Sequence, residues 1–191
     1  EQASELAARS DGWIVAIMLA IRTMQHGALP KFDQAVDQVY DFLAEEVVNQ
    51  QQPQLQDFLL ATAIFEEFDE ALCNHLLQIT SAGDLLNELI ERNLFITRIG
   101  TKQSANYRYH QLFSDFLRNR LLKTDLKKMR TLNERAAHWY WQQDAWEPAV
   151  RHILSADQPE KAARWMDLAA TEFYVRGRQT VLSKWYETLS K

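Results

Sequence analysis

The chain has 191 residues, of which 47% are hydrophobic and 25% are charged, and it carries six tryptophans. This composition is sufficient for a packed core and excludes an intrinsically disordered chain. Only five glycines and four prolines interrupt it, which argues against collagen-like and loop-rich all-β folds. A single cysteine excludes an intrachain disulfide, and the longest apolar runs are too short to cross a bilayer. With no targeting peptide visible, we expect a soluble, cytoplasmic segment of a longer protein.

The net charge of −5 is unevenly distributed. Residues 1–117 carry seven basic and seventeen acidic side chains, whereas residues 118–191 carry fourteen basic and nine acidic ones. Nucleic-acid-binding proteins concentrate Lys and Arg on their docking face, because neutralised phosphates supply much of the affinity. The acidic first part is therefore a poor candidate. The basic side chains of the second part are scattered at helical spacing, which is typical of a solvated face.

Helical periodicity dominates the first third of the chain. Apolar residues recur at steps of three and four over residues 4–24 and again over 33–48, which predicts amphipathic helices. Pro53 suits the first turn of a further helix that continues to residue 64. We assign residues 1–50 to a helical domain.

A different pattern predicts a winged helix over residues 51–123. Asp69 is expected to cap a short helix, and Ser-Ala-Gly-Asp at 81–84 resembles the capped start of the next one. Two stretches rich in β-formers, 94–99 and 107–110, flank a turn-like segment and predict a hairpin. Three helices, a two-stranded hairpin and a following helix define the winged-helix arrangement.

The last part of the chain, residues 124–191, is predicted to be helical again. Asp125 is expected to cap its first helix, and two similar helical starts follow, with Ala149 and Ala162 where neighbouring helices can approach closely. Short paired helices with alanine at their contacts suggest a tetratricopeptide-like array. The predicted fold class is mainly α: a helical segment, a winged helix with a two-stranded β-hairpin, then tetratricopeptide-like helical hairpins.

The sequence contains no pattern typical of a catalytic or metal site. No two glycines lie within five residues of each other, so there is no glycine-rich phosphate loop. Cys73 and His75 are two possible metal ligands without a second pair, and Cys73 is expected to be a buried structural thiol. The adjacent Glu66 and Glu67 are interpreted as solvated surface. We expect this segment not to be an enzyme and to hold no metal.

A winged helix invites a DNA-binding interpretation, which its charges oppose. The third helix, over residues 84–93, carries three acidic residues and one basic residue, so a major groove would place carboxylates beside phosphates. The hairpin offers only Arg98, Lys102 and Arg108 in compensation. We therefore predict an interdomain module.

Short stretches spread over the chain match one family in the expected order. They are YDFLAEEV at 40–47, QLQDFLLATAI at 54–64, Leu-Cys at 72–73, LLNELIERNLF at 85–95, YRYHQLFSDFL at 107–117, AVRH at 149–152 and RGR at 176–178. In combination they resemble the MalT-like, large ATP-binding transcriptional regulators of the LuxR type, a class of signal-transduction ATPases.

The resemblance implies that the chain is the middle of such a regulator: the end of a helical domain, the winged helix and the start of a helical sensor. Its partners would be an upstream nucleotide-binding domain, which binds ADP or ATP with Mg, and downstream sensor repeats. A small-molecule or protein inducer would drive self-association, and DNA would be bound only through a C-terminal domain outside this chain. The parent would carry a slow regulatory ATPase, whereas this chain alone would bind no nucleotide firmly.

The resemblance also implies roles for individual residues. His110 matches the histidine that, in related ATPases, reaches from the winged helix to the ADP β-phosphate in the closed state. Gly12 and Trp13 match a Gly-Trp-Pro helix start beside the nucleotide, with Ile14 in place of the proline. Arg108 would support the wing or belong to the surface. The alternatives for single residues are structural: His110 would cap the next helix or fill a polar gap, and Trp13 would lie in the core. For the whole segment, the alternative is a helical-repeat protein–protein interaction scaffold without a nucleotide role.

Overall fold

The computed structural model describes residues 43–101 and 104–175. The helical segment expected over 4–24, with a break at Gly12 before Trp13, lies outside these residues. Within the described part, a π-helical turn is followed by seven α-helices and two strands. They are the turn Leu43–Val48, α1 Pro53–Thr62, α2 Glu70–Leu77, α3 Ala82–Glu91, β1 Ile96–Gly100, β2 Ala105–Tyr109, α4 Gln111–Thr124, α5 Leu126–Gln142, α6 Trp146–Ser155 and α7 Pro159–Val175.

The predicted winged helix is confirmed and comprises α1 to α4 with the β1–β2 hairpin. The two strands pair antiparallel, with Ile96 opposite Tyr109. Gly100 ends β1 with a φ of 90°, a conformation that costs glycine little. A bridge between Phe68 and Tyr107, with N–O distances of 2.7 and 3.0 Å, fastens the hairpin to the loop before α2.

Two of the predicted helix caps are present. The carboxylate of Asp69 accepts the N–H of Leu72 at 2.7 Å at the start of α2, and Asp125 accepts the N–H of Lys128 at 2.8 Å at the start of α5. Each bond satisfies one of the backbone donors that a helix leaves unpaired in its first turn. Pro53 is the first residue of α1, where its missing N–H costs nothing.

The cap predicted at Ser81 is wrong. Ser81 occupies the N-cap position of α3, but its side chain makes no cap hydrogen bond. The amide oxygen of Asn74, on the preceding helix α2, instead accepts the N–H of Ala82 at 3.0 Å. The start of α3 is thus stabilised by a tertiary contact.

One hydrophobic core holds the winged helix together. Its largest fully buried side chains are Leu43, Leu55, Phe58, Leu59, Phe68, Leu76, Leu86, Leu89, Phe113, Leu117 and Leu121. Cys73 has no exposed surface in this core, as predicted, and burial followed by the nearby Asp69 and Glu70 raises the pKa of its thiol. Such a thiol stays protonated and unreactive.

A second core lies between α5, α6 and α7, which pack as helical hairpins. Ala149 and Ala162 are fully buried, as predicted for positions of close helix approach. The two turns that connect these helices are alike: Asp144 and Asp157 adopt left-handed φ values of 54° and 62°, each five residues before one of these alanines. Asp tolerates that region better than most residues, so both turns have an aspartate at the position that requires a left-handed backbone.

Helix α5 belongs to both cores. Leu132 and Ala136 pack in the winged-helix core, whereas Ala137 packs in the second core. The predicted mainly α architecture, a winged helix followed by helical hairpins, is confirmed. None of the helices in the described ranges is long and apolar enough to span a bilayer.

Removing the Asn74 side chain tests how α3 is capped. We expect Asn74→Ala to lower the free energy of unfolding by about 1 kcal/mol, the usual cost of losing a cap. Ser81→Ala is the matched control and should change it by only a few tenths of a kcal/mol. Urea unfolding of the two variants checks this, and a larger loss for Ser81→Ala would contradict the assignment.

Candidate functional site

His110 lies where the hairpin ends and α4 begins. Its backbone N–H donates to the carbonyl of Phe95 at 2.8 Å, and its own carbonyl accepts the N–H of Ser114 at 2.9 Å. Residue 110 thus holds the N-cap position of α4, but its half-buried imidazole makes no cap hydrogen bond. The structural alternative in which the His110 side chain caps α4 is therefore wrong.

Phe95 fixes the backbone of His110 from a strained conformation. Its φ of 54° lies in the left-handed region, which is unfavourable for a bulky side chain. Packing against Phe113 of α4, with ring centroids 5.2 Å apart, helps to hold it there. Strain of this kind persists only where the surrounding structure requires it, so the position of His110 is strongly constrained.

Arg108 lies on the solvent face of β2. The strand alternates, with Tyr107 and Tyr109 buried and Arg108 exposed between them. Its guanidinium is 4.0 Å from the carboxylate of Glu67, and both side chains are about half exposed. An ion pair in such a setting contributes little to stability.

A cavity of about 540 Å³ opens beside Arg108, between the winged helix and the helical hairpins. Its charged lining residues are Glu66, Glu67, Arg108, Arg118 and Arg151. A second cavity of about 200 Å³ shares three of them and adds Asn133 and His152. Tyr109 and Gln111, on either side of His110, also line the larger cavity, so the start of α4 borders it. We call the two adjoining spaces the junction cavity.

Two arginines of the junction cavity are held by hydrogen bonds, one across the junction and one within the winged helix. Arg151 of α6 donates to the Glu66 carboxylate of the winged helix at 3.1 Å. Arg118 of α4 donates to the backbone carbonyls of Ala63 and Phe65, the latter at 3.0 Å. Glu66 and Glu67 are exposed, as predicted, and each also pairs with an arginine.

His152 is buried beside these arginines, with 4% of its surface exposed. The amide nitrogen of Asn133 donates to Met129, so its oxygen faces the imidazole and accepts the His152 Nδ1–H at 2.9 Å. Burial, followed by the charges of Arg151 and Arg118, lowers the pKa of His152 to about 3. The neutral ring presents Nε2 as an acceptor, and within the described residues this buried nitrogen has no hydrogen-bond partner.

An aromatic cluster joins the two units at the same place. The His152 ring stacks on Tyr140 of α5 with centroids 5.5 Å apart, and Phe65 of the winged helix packs edge-on to it at 5.3 Å. Burial raises the pKa of Tyr140 to about 12, so its hydroxyl stays protonated. The junction thus combines an apolar contact with charged side chains that line the cavity.

Sequence reasoning missed Arg118, Arg151 and His152 as members of one site. Arg151 and His152 belong to a stretch that carried the family resemblance, but nothing in their spacing links them to Glu66. Arg108 and His110 both lie near the end of the hairpin. Of these two predicted site residues, only Arg108 lines the cavity.

The exposed face of α3 is acidic in the structure. Asp84, Asn87 and Glu91 are exposed, and Glu88 pairs with Arg92 at 2.7 Å. The described residues contain no group of three or more His, Cys, Asp or Glu side chains that could hold a metal ion.

The chain is similar to known signalling and regulatory proteins. The family model of the MalT winged helix domain matches residues 44–129. Relatives include the serine/threonine-protein kinase PknK of Mycobacterium tuberculosis, 31% identical over 93% of this chain, and the HTH-type transcriptional regulator MalT of Vibrio campbellii, 24% identical over all of it. MalT of Vibrio cholerae is 26% identical over 94%.

The match covers only a fraction of each relative. The chain spans 16% of the length of PknK and 22% of that of the Vibrio campbellii regulator. Its residues 44–129 match the MalT winged helix domain, and the chain as a whole is similar to a segment of MalT-like regulators.

The depressed pKa of His152 predicts an acid-sensitive junction. Below the ordinary histidine pKa of 6.5, the unfolded chain takes up a proton that folded His152 refuses until about pH 3. The free energy of unfolding should therefore fall as the pH drops through this window, by about 1.4 kcal/mol per pH unit from this residue.

Urea unfolding of wild type and His152→Gln between pH 6.5 and 4.5 measures this effect. The neutral glutamine should remove that part of the pH dependence, whereas His75→Gln, at an exposed histidine, should keep it. Parallel pH profiles for wild type and His152→Gln would contradict the burial of a neutral imidazole.

Proposed function

Starting from a MalT-type winged helix domain continued by helical hairpins, we propose that this chain is the regulatory middle of a cytoplasmic, ATP-dependent, inducer-responsive LuxR-type transcriptional activator. It would pass the state of a nucleotide bound upstream, as ADP or ATP with Mg, to sensor repeats downstream. It performs no chemistry of its own. Inducer binding would rearrange the domains and allow self-association.

The observation that carries the proposal is the continuity from His110 to the hairpins. His110 starts α4, a helix of 14 residues, and only Asp125 separates α4 from α5, which enters both hydrophobic cores. The junction cluster adds a second connection through Phe65 and His152. A displacement of the hairpins would therefore also move His110, because close-packed interiors transmit movements rather than absorb them by continuous deformation.

The relatives support a regulatory role rather than an output role. One is named as a protein kinase and the others as transcriptional regulators, and all match this same segment. Because proteins named for two different outputs share this segment, we infer that it controls an output located elsewhere. We extend that to this chain and propose DNA binding through a C-terminal domain outside it.

The position of His110 suits a nucleotide sensor. Its main chain is fixed on both sides, which places its half-buried imidazole where the hairpin meets α4. An imidazole N–H can donate to a diphosphate, and such a bond would favour the domain arrangement in which ADP is enclosed.

Substituting His110 in the full-length protein tests this role. We expect His110→Ala to weaken ADP binding by about tenfold, the effect of losing one hydrogen bond to a charged group. The fold should persist, since both main-chain bonds of residue 110 remain available to alanine. ADP retained through purification and the inducer dependence of activity are measured, with Gln111→Ala as the control.

The nucleotide role would be contradicted if His110→Ala retained as much ADP as Gln111→Ala and needed inducer to the same extent. The helical-repeat scaffold without a nucleotide role would then be the better description.

The acidic face of α3 makes a second prediction, for the 191-residue chain alone. At physiological salt it should bind duplex DNA no more tightly than the 10⁻⁴–10⁻⁶ M typical of non-specific contact. Fluorescence anisotropy with labelled duplexes at two salt concentrations measures this. Sequence-specific, sub-micromolar binding would show that the winged helix reads DNA directly.

A further inference from the structure

We propose that the junction cavity binds a small phosphate monoester that also carries hydroxyl groups, with the phosphate among Arg108, Arg118 and Arg151 and the hydroxyls on the acceptors opposite. This site is separate from the proposed nucleotide contact, since His110 does not line the cavity.

The size and shape of the cavity fit a small molecule. About 540 Å³ lies within the range of 300–1,000 Å³ typical of ligand pockets, and the adjoining 200 Å³ extends it towards α5 and α6. The walls come from both structural units, because Glu66 and Arg108 belong to the winged helix and Arg151 to the hairpins. A ligand here would contact both units at once.

The charges of the lining favour an anion. Three guanidinium groups face two carboxylates, so the lining is net positive. Arg118 is half-buried, and its two hydrogen bonds to backbone carbonyls hold its planar head in place while leaving it further N–H donors. A preorganised arginine is well suited to phosphate, whose oxygens accept paired N–H bonds.

The carboxylates do not prevent binding. The Glu66–Arg151 pair is exposed, with 72% and 56% of the two side chains accessible, and such a pair contributes little. A phosphate dianion would therefore displace Glu66 from Arg151. Glu66, once displaced, is an acceptor for a ligand hydroxyl.

His152 supplies the second, independent reason to expect a polar ligand. Its Nε2 is buried and, among the described residues, lacks a hydrogen-bond donor, although buried polar atoms are nearly always satisfied. His152 lines the smaller part of the cavity together with Arg118 and Arg151. Nε2 has almost no accessible surface here, so a ligand hydroxyl would donate to it after a shift of the imidazole towards the cavity. This unmet acceptor is why the proposed phosphate carries hydroxyl groups.

Isothermal titration calorimetry of the 191-residue chain with glycerol 3-phosphate tests the site, at constant ionic strength because exposed charges are screened by salt. We expect saturable binding with one site per chain and none for uncharged glycerol. Methyl phosphate, which has the charge without the hydroxyls, should bind more weakly. Equal affinity for the two phosphates, or no saturable binding of glycerol 3-phosphate, would overturn the proposal.

Three variants locate the binding. Arg151→Gln should weaken it by about tenfold, and Glu66→Gln should strengthen it by about threefold because it frees Arg151 and removes a carboxylate. The matched control is Arg130→Gln, since Arg130 also forms an exposed ion pair, with Asp157, but lies outside the cavity. An unchanged affinity in Arg151→Gln, or an equal loss in Arg130→Gln, would assign the binding to diffuse surface charge and overturn the proposal.

Discussion

Helix α5 is the constraint on which the rest of the structure depends. Its adjacent residues Ala136 and Ala137 are both fully buried but belong to different cores. Successive residues on an α-helix point about 100° apart, so a single helix presents one face to the winged helix and another to the hairpins. Alanine at both positions lets the neighbouring helices approach closely. The helix cannot tilt or slide without disturbing both cores, and this makes the winged helix and the hairpins one mechanical body.

The junction cluster gives that body a second connection, away from α5. Phe65 follows α1 in the winged helix and packs against His152 of α6, while Arg151 reaches back to Glu66. The apolar part of the contact resists separation, because its exposure to water would cost free energy. The polar part surrounds a cavity, and its exposed ion pairs contribute little to stability. A ligand bound in this cavity would contact the winged helix and the hairpins at once. It would therefore favour one arrangement of the two units over another.

Local signals in the sequence predicted most of the fold. The caps at Asp69 and Asp125, the proline that opens α1 and the buried alanines of the hairpins act over a few residues, so periodicity and spacing reveal them. The cap of α3 was misplaced because its acceptor comes from another helix. The junction cavity could not be predicted at all, since its arginines and glutamates are brought together only by tertiary packing. The nucleotide role of His110 stays a prediction, because it comes from the family resemblance and not from a local signal in the sequence.

The most direct test of the account is whether the two units unfold together. Trp141, Trp146 and Trp165 pack in the core of the hairpins, so their indole N–H NMR signals follow the hairpins. The amide NMR signals of α1 and α3 follow the winged helix. The account predicts coincident urea transitions, both shifted to lower urea by Phe65→Ala. Separate midpoints, or a shift in only one of them, would contradict a single coupled body.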